Sequence, residues 1–262
     1  MIYLRSLWMR DKSERGDDYP FGLPLIQNLE ELSFPSPVTF FVGENGSGKS
    51  TILEALAIAA RAITIGGRDL EDDPTLEGVR RLADTLVLSW SKRSPRGFFM
   101  RSEDFFNFAS ATADLAAELA EIADEFGRDQ RGDWKRAQGL ARAQRSALID
   151  RYGDLHARSH GESFLHVFRK RFVPDGLYLL DEPETALSPQ RQLAFLALVK
   201  ALVAEEAQFI IATHSPIILA FPGATLLHFH DGVIAEIAYD DVENVRLTRD
   251  FLANPDAYLR RL

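Results

Sequence analysis

Apolar runs of strand length alternate with runs of helix length along most of the chain. Ile2–Met9 reads as a strand, and Pro20, Pro24, Pro35 and Pro37 then rule out a long helix before residue 38. VTFFV (Val38–Val42) is short, unbroken and β-rich, the pattern of a strand covered on both faces of a parallel sheet. ILEALAIAARAI follows with helical length and composition. Residues 66–84 read as a polar loop with turn residues Gly66, Gly67 and Pro74, and Thr85–Trp90 and Gly97–Arg101 as a strand pair about the turn KRSP. From Ala109 the composition shifts to Ala, Asp, Glu and Arg. Leu115, Leu119, Ile122 and Phe126 fall on one helical face, and 109–152 reads as a helical hairpin broken at 127–133. Later come a helix over Leu165–Phe172, the strand Leu177–Leu180, a helix over about Gln190–Ala204 and the strand Gln208–Thr213. A β-hairpin is predicted about Asp231-Gly232, and a helical tail from Val242 interrupted at Pro255. The alternation predicts an α/β fold built on a sheet, in one domain over 1–262 with the helical insertion at about 109–152.

The chemistry sits between these elements. GENGSGKS (Gly43–Ser50) joins a buried strand to a helix and matches G-x-x-x-x-G-K-S/T. Glycines at 43, 46 and 48 let the backbone curl so that N–H groups face phosphate oxygens. Lys49 supplies a point charge and Ser50 a hydroxyl for Mg²⁺. The candidate ATP-binding loop is therefore Gly43, Glu44, Asn45, Gly46, Ser47, Gly48, Lys49, Ser50 and Thr51. LYLLDEPE places Asp181 and Glu182 at the carboxyl end of a second buried strand, where open α/β sheets bind ligands. Asp181 is the candidate Mg²⁺ partner and Glu182 the candidate base for an attacking water; the alternative is a pair of solvated strand-end acids.

In order, a phosphate loop, a Ser-x-Gly-Glu, an apolar strand with DEP and a strand ending in Thr-His resemble the ABC-type ATPases. The likeness is to their soluble branch of chromosome structural-maintenance, double-strand-break-repair and phage-defence ATPases. Within it, the chain is similar to short stand-alone bacterial ATPases carrying SHGES and an RLTRDFL-type tail, here Arg246–Leu252. The resemblance implies a P-loop NTPase fold of ABC type: a mostly parallel central sheet, an antiparallel β portion and a helical hairpin insertion. It also implies that Ser159, Gly161 and Glu162 of SHGES reach the γ-phosphate held by a partner subunit. Ser159 would equally serve as a helix cap, with Glu162 closing a capping box. His160 and Glu162 depart from the Ser-Gly-Gly-Gln of the family. ETALS (Glu184–Ser188) corresponds to the loop that crosses the dimer interface, ending in Ser188 where the family has aspartate. His214 corresponds to the switch histidine and Glu103 to the glutamine that senses Mg²⁺ and water, a carboxylate in place of an amide. The cluster Phe98, Phe99, Phe105, Phe106 and Phe108 reads as core first and adenine shelf second; Tyr19 and Phe21 are further adenine candidates.

Composition narrows the output. A net charge of −9 argues against a broadly basic nucleic-acid surface. Local basic residues remain, Lys92, Arg93, Arg96 and Arg101 near the predicted strand pair and Arg142, Arg145 and Arg151 on the second hairpin arm, so nucleic acid stays a candidate partner. With no cysteine, disulfides and Cys-type zinc sites are excluded. The early charges of the N-terminus and the absence of a long apolar run predict a cytoplasmic protein without a membrane span. The expectation is an ATP-hydrolysing, ATP-dependent homodimer with composite sites, acting with a separate effector protein. The alternatives are a nucleotide-dependent clamp with slow hydrolysis and a transporter's nucleotide-binding subunit.

Overall fold

Strands whose side chains are buried on both faces force a layered architecture, since each face needs its own cover. A computed structural model describes residues 1–10, 16–65, 70, 73–94, 96–128, 132–152 and 160–260. Within its helices, the side chains of 104–110, 113, 127–128, 132–134, 150–152, 160–164 and 166 also lie outside the description. In chain order, β1 (Leu4–Met9), α1 (Pro24–Gln27), β2 (Leu32–Ser33), β3 (Val38–Gly43) and α2 (Lys49–Ala60) lead to a 3₁₀ turn, Pro74–Leu76. Then come α3 (Glu77–Thr85), β4 (Leu86–Trp90), β5 (Arg96–Arg101), α4 (Ser102–Arg128), α5 (Gly132–Tyr152) and α6 (His160–Arg171). The remainder is β6 (Gly176–Asp181), α7 (Pro189–Ala204), β7 (Gln208–Ala212), α8 (Pro216–Leu219), β8 (Thr225–His230), β9 (Val233–Glu236), α9 (Glu243–Ala253) and α10 (Pro255–Leu259).

The main sheet runs β5-β6-β7-β3-β8-β9 and is parallel except for β9, which closes the edge as the predicted hairpin. One face, with Phe41, Leu179, Ile210 and Ala212, packs on Ile52, Leu53 and Leu56 of α2. The other, with Phe40, Tyr178, Leu180, Phe209 and Ile211, packs on Phe168 of α6 and Phe195 and Val199 of α7. A separate antiparallel sheet, β2-β1-β4, rests over α2 and α3 on the first face. Among the described residues no helix is long and apolar enough to cross a membrane.

Several local expectations need correction. β4 and β5 do not pair. β4 pairs antiparallel with β1, whereas β5 pairs parallel with β6. Gly97, at φ 120°, lies so close to β6 that a Cβ there would meet the Leu177 carbonyl oxygen at 1.8 Å. Residues 66–84 do not form one loop. Asp73 accepts the Thr75 N–H at 3.0 Å, and Val79, Leu82 and Ala83 turn one side of α3 into the core, a helix too short and polar to register as periodic. The hairpin starts at Ser102 rather than Ala109, because α4 follows β5 without a loop. On α4, Leu119 is buried with Ala123 against Ala141 of α5, but Leu115 is exposed.

Arg101 does not join a surface patch. It is buried at the end of β5, with ion pairs to Asp73 at 2.9 Å and to Glu54 of α2 at 3.3 Å. Burial, the largest cause, pushes the Glu54 carboxyl up to about 7 against the pull of Arg101. Hydrogen bonding from Thr75, then from Arg101, holds Asp73 down to about 2. Glu54 therefore contributes stability that is present below its ordinary 4.5 and lost as pH rises through about 7. Asp73 contributes stability that is present above its ordinary 3.8 and lost as pH falls toward 2. Thermal unfolding at pH 5 and pH 8 is expected to show wild type less stable at pH 8, with Glu54→Gln reducing that difference. Arg101→Met, which strands two buried carboxylates, is expected to cost about 3 kcal/mol at pH 8. A Glu54→Gln protein with the wild-type pH slope refutes this account.

Candidate functional site

Three strand ends meet at one edge of the sheet. In register, Phe41 of β3 and Asp181 of β6 both lie opposite Ala212 of β7, so the residues that follow emerge side by side. From β3 the chain enters the glycine-rich loop, from β6 it reaches Glu182, and from β7 it reaches His214. The sheet thus brings together Lys49, Ser50, Asp181, Glu182 and His214, which lie far apart in sequence.

The loop's shape depends on its glycines. Gly43 has φ 152°, and a Cβ there would lie 2.4 Å from the Phe229 carbonyl oxygen of β8. Gly48 has φ 94° immediately before the first turn of α2, against Leu25. Lys49, 4% exposed, curls back so that its Nζ donates to the carbonyls of Gly43 (2.8 Å) and Glu44 (2.7 Å). Burial lowers its pKa, and the nearby charges of Glu182, Asp181 and Glu184 oppose the shift. An open cleft of about 500 Å³ lies over the loop, floored by Asn45, Gly46 and Lys49–Thr51 and bounded by Tyr19, Leu23 and Glu182. Tyr19 is 56% exposed, with its hydroxyl 3.3 Å from Thr51 Oγ1. Phe21 is buried in the core, as are Phe98 and Phe99, so none of these three can face a base. The side chains of Phe105, Phe106 and Phe108 lie outside the described residues.

Asp181 and Glu182 occupy unlike surroundings. Asp181 is 8% exposed and its carboxyl is pushed up to about 6, chiefly by burial, with a hydrogen bond from Ser50 opposing. Its Oδ1 is buried without a hydrogen-bond partner. A buried, unpartnered carboxylate oxygen beside a serine hydroxyl is a hard-oxygen donor set that fits Mg²⁺, which keeps several waters and phosphate oxygens as its other ligands. Among the described residues, no group of three or more His, Cys, Asp or Glu could hold a metal by itself. Glu182 adopts a left-handed backbone, φ 48° and ψ 51°, uncommon for a residue with a side chain and typical of over-determined sites. Its N–H donates to the Ala212 carbonyl at 2.9 Å, and its own carbonyl accepts from Ser102 Oγ and from the Thr185 N–H. Its side chain is half exposed, with Oε1 3.7 Å from His214 Nε2. Burial, then Lys49, lowers the His214 pKa, which favours the neutral imidazole.

The other predicted residues lie further out or outside the description. Glu103 is exposed at the start of α4, 3.8 Å from Arg101 Nε. Ser159 lies outside the described residues; Gly161 and Glu162 fall in the first turn of α6, with their side chains outside the description. Ser188 precedes α7 and makes no side-chain cap. Glu184 carries more than its motif suggested. Its buried carboxylate accepts the His214 backbone N–H at 2.6 Å, a contact across thirty residues that no local spacing announces.

Residues 21–67 match the family described as "AAA domain", and residues 155–220 the family described as "AAA domain, putative AbiEii toxin, Type IV TA system". The cobalt import ATP-binding protein CbiO of Salmonella typhimurium is 26% identical over 220 residues, 82% of this chain and 72% of CbiO. The Smc head domain of Pyrococcus furiosus aligns over 96% of this chain and all of its own, at 14% identity and TM-score 0.46. The bacterial ABC transporter cassette MJ0796, in its dimeric structure, aligns over 91% of this chain and 99% of its own, at 18% identity and TM-score 0.48. The architecture is the one the motifs predicted: a mostly parallel sheet, antiparallel strands and a helical hairpin, with AAA-domain matches over the segments that carry the phosphate loop and the Asp181–Glu182 strand.

Gly43→Ala is expected to weaken binding of a fluorescent ATP analogue by about tenfold or more, since the added methyl meets backbone rather than a movable side chain. An unchanged Kd in a folded Gly43→Ala protein overturns the reading of the loop.

Proposed function

We propose that this chain hydrolyses ATP to ADP and phosphate at composite sites of an ATP-dependent homodimer. The observation that carries the proposal is the convergence of Lys49, Asp181, Glu182 and His214 at the ends of three adjacent parallel strands. Loop N–H groups of residues 43–51 hold the phosphates, with Lys49 leaving its carbonyl contacts for the β- and γ-oxygens. Ser50 and Asp181 hold Mg²⁺, which when bound neutralises charge on the phosphate oxygens. Glu182 takes the proton of a water whose oxygen bonds to the γ-phosphorus as the bond to the bridging oxygen breaks. His214, neutral and 3.7 Å from Glu182, orients the water and the γ-phosphate. Ser159, Gly161 and Glu162 of a second copy close the site. Tyr19, exposed on the cleft wall, faces the base.

The process served is a cytoplasmic DNA-related or defence one, run through a separate effector protein. The match of residues 155–220 to a toxin–antitoxin family supports this reading. A second reading, the nucleotide-binding subunit of a transporter, is favoured by the CbiO likeness and differs in its partner, a membrane permease. Co-purification separates the two.

Glu182→Gln is expected to retain ATP binding and to lose about a hundredfold or more of turnover. Light scattering is expected to find wild type largely monomeric without nucleotide and Glu182→Gln dimeric in ATP. Unchanged turnover removes Glu182 as the base, and a monomer at saturating ATP removes the shared site.

A further inference from the structure

His214 is held by its backbone rather than by its ring. Its N–H donates to Glu184 Oε1 at 2.6 Å, and its carbonyl accepts from Asn244 Nδ2 on α9. The imidazole Nε2, by contrast, has no hydrogen-bond partner. The two backbone partners come from elements outside the phosphate loop. Glu184 lies in the 3₁₀ turn Pro183–Ala186 after β6, and Asn244 lies in the first turn of α9. Burying Glu184 is costly: burial pushes its carboxyl up, hydrogen bonds from the His214 N–H, its own N–H and the Thr213 side chain oppose that shift, and its Oε2 is left with no partner. A backbone N–H at a strand end could be met by water or a neighbouring carbonyl at lower cost. A buried carboxylate there fixes the distance between the turn carrying Glu182 and the strand end carrying His214. The surroundings strengthen the same point: Ser215, the next residue, donates its hydroxyl to Gln192 Oε1 of α7 at 2.6 Å.

We infer that Glu184 and Asn244 are positioning residues for hydrolysis, a two-sided clamp on the His214 main chain that sets the imidazole against Glu182. The inference rests on the ATPase reading above. Neither residue touches the reacting atoms; each acts through His214. Displacing a catalytic group by a fraction of an ångström to an ångström lowers turnover without comparable loss of ground-state binding. The clamp also ties the switch histidine to two surfaces, because the turn holding Glu184 runs on into residues 185–188 and Asn244 belongs to the tail helix. A partner bearing on either surface would change turnover through the histidine backbone.

The test is steady-state ATP hydrolysis by the full chain for Glu184→Ala, Glu184→Gln, Asn244→Ala and His214→Ala, and for the two doubles that combine Glu184→Ala or Asn244→Ala with His214→Ala. Each single alanine variant is expected to lower kcat about tenfold with KM within about twofold. Glu184→Gln keeps an acceptor oxygen and is expected to recover most of the loss. In the His214→Ala background, neither Glu184→Ala nor Asn244→Ala should lower kcat further, because the group they position is gone. Additive losses in the doubles, or a Glu184→Gln variant as impaired as Glu184→Ala, overturn the clamp. Asn244, on a partly exposed tail helix, serves where Glu184→Ala does not fold: an Asn244→Ala protein with wild-type kcat also overturns it. If wild type and His214→Ala turn over equally, the ATPase assignment of His214 has failed and the clamp, which acts through it, fails with it; an impaired His214→Ala protein with additive doubles defeats the clamp alone.

Discussion

Parallel pairing of β6, β7 and β3 is the constraint on which the rest of the site depends. All three strands are buried on both faces, so their register is fixed by packing and by backbone hydrogen bonding. A slip of one residue would turn Phe41, Leu179 and Ile210 away from α2 and carry Asp181 to the other face with them. Core and chemistry are therefore specified by the same alternation. The parallel arrangement also puts every carboxyl end at one edge, whereas antiparallel neighbours would have sent His214 and the phosphate loop to opposite ends of the sheet.

The electrostatics follow from crowding at that edge. Lys49, Asp181, Glu182 and Glu184 interact, and burial works against the charged forms of Lys49, Asp181 and Glu184. One buried cation among three carboxylates leaves an excess of negative charge, and Asp181 retains an unpartnered oxygen. A divalent cation would supply the missing positive charge, which is why the donor set suits Mg²⁺. Further back, Arg101 pairs with Asp73 and Glu54 without opening to solvent, although the charge of Asp181 still reaches Glu54 and adds to its raised pKa.

The features legible from sequence were those whose signal is local. A buried strand followed at once by GENGSGKS, DEPE or THS announces both the element and the chemistry at its end, and the structure brings those ends together. The illegible features depend on distant partners. Glu184 meets the His214 backbone and Arg101 meets Glu54 and Asp73 only because the sheet orders its strands β5-β6-β7-β3, an order that strand patterns do not encode. Reading 85–101 as a strand pair failed for the same reason: nearness in sequence favours a hairpin, but β5 is apolar enough to be drawn into the main sheet while β4 covers α2. α3 escaped because its first residues are polar and its apolar positions number only a few.

The junction of β5 with the hairpin joins these points mechanically. Arg101 ends the strand in the buried ion-pair cluster, and the next residue, Ser102, begins α4 and donates its hydroxyl to the carbonyls of Asp181 (3.0 Å) and Glu182. Glu182 sits in a left-handed conformation that costs on the order of 1 kcal/mol and persists only while its neighbours hold it. One of those holds is therefore the first turn of a 27-residue helix. Any tilt of α4 must either carry Asp181 and Glu182 with it or break the Ser102 hydrogen bonds and release the strained residue. Either outcome changes the placement of the Glu182 carboxylate against His214, so the hairpin and the strand-end chemistry form one mechanical unit.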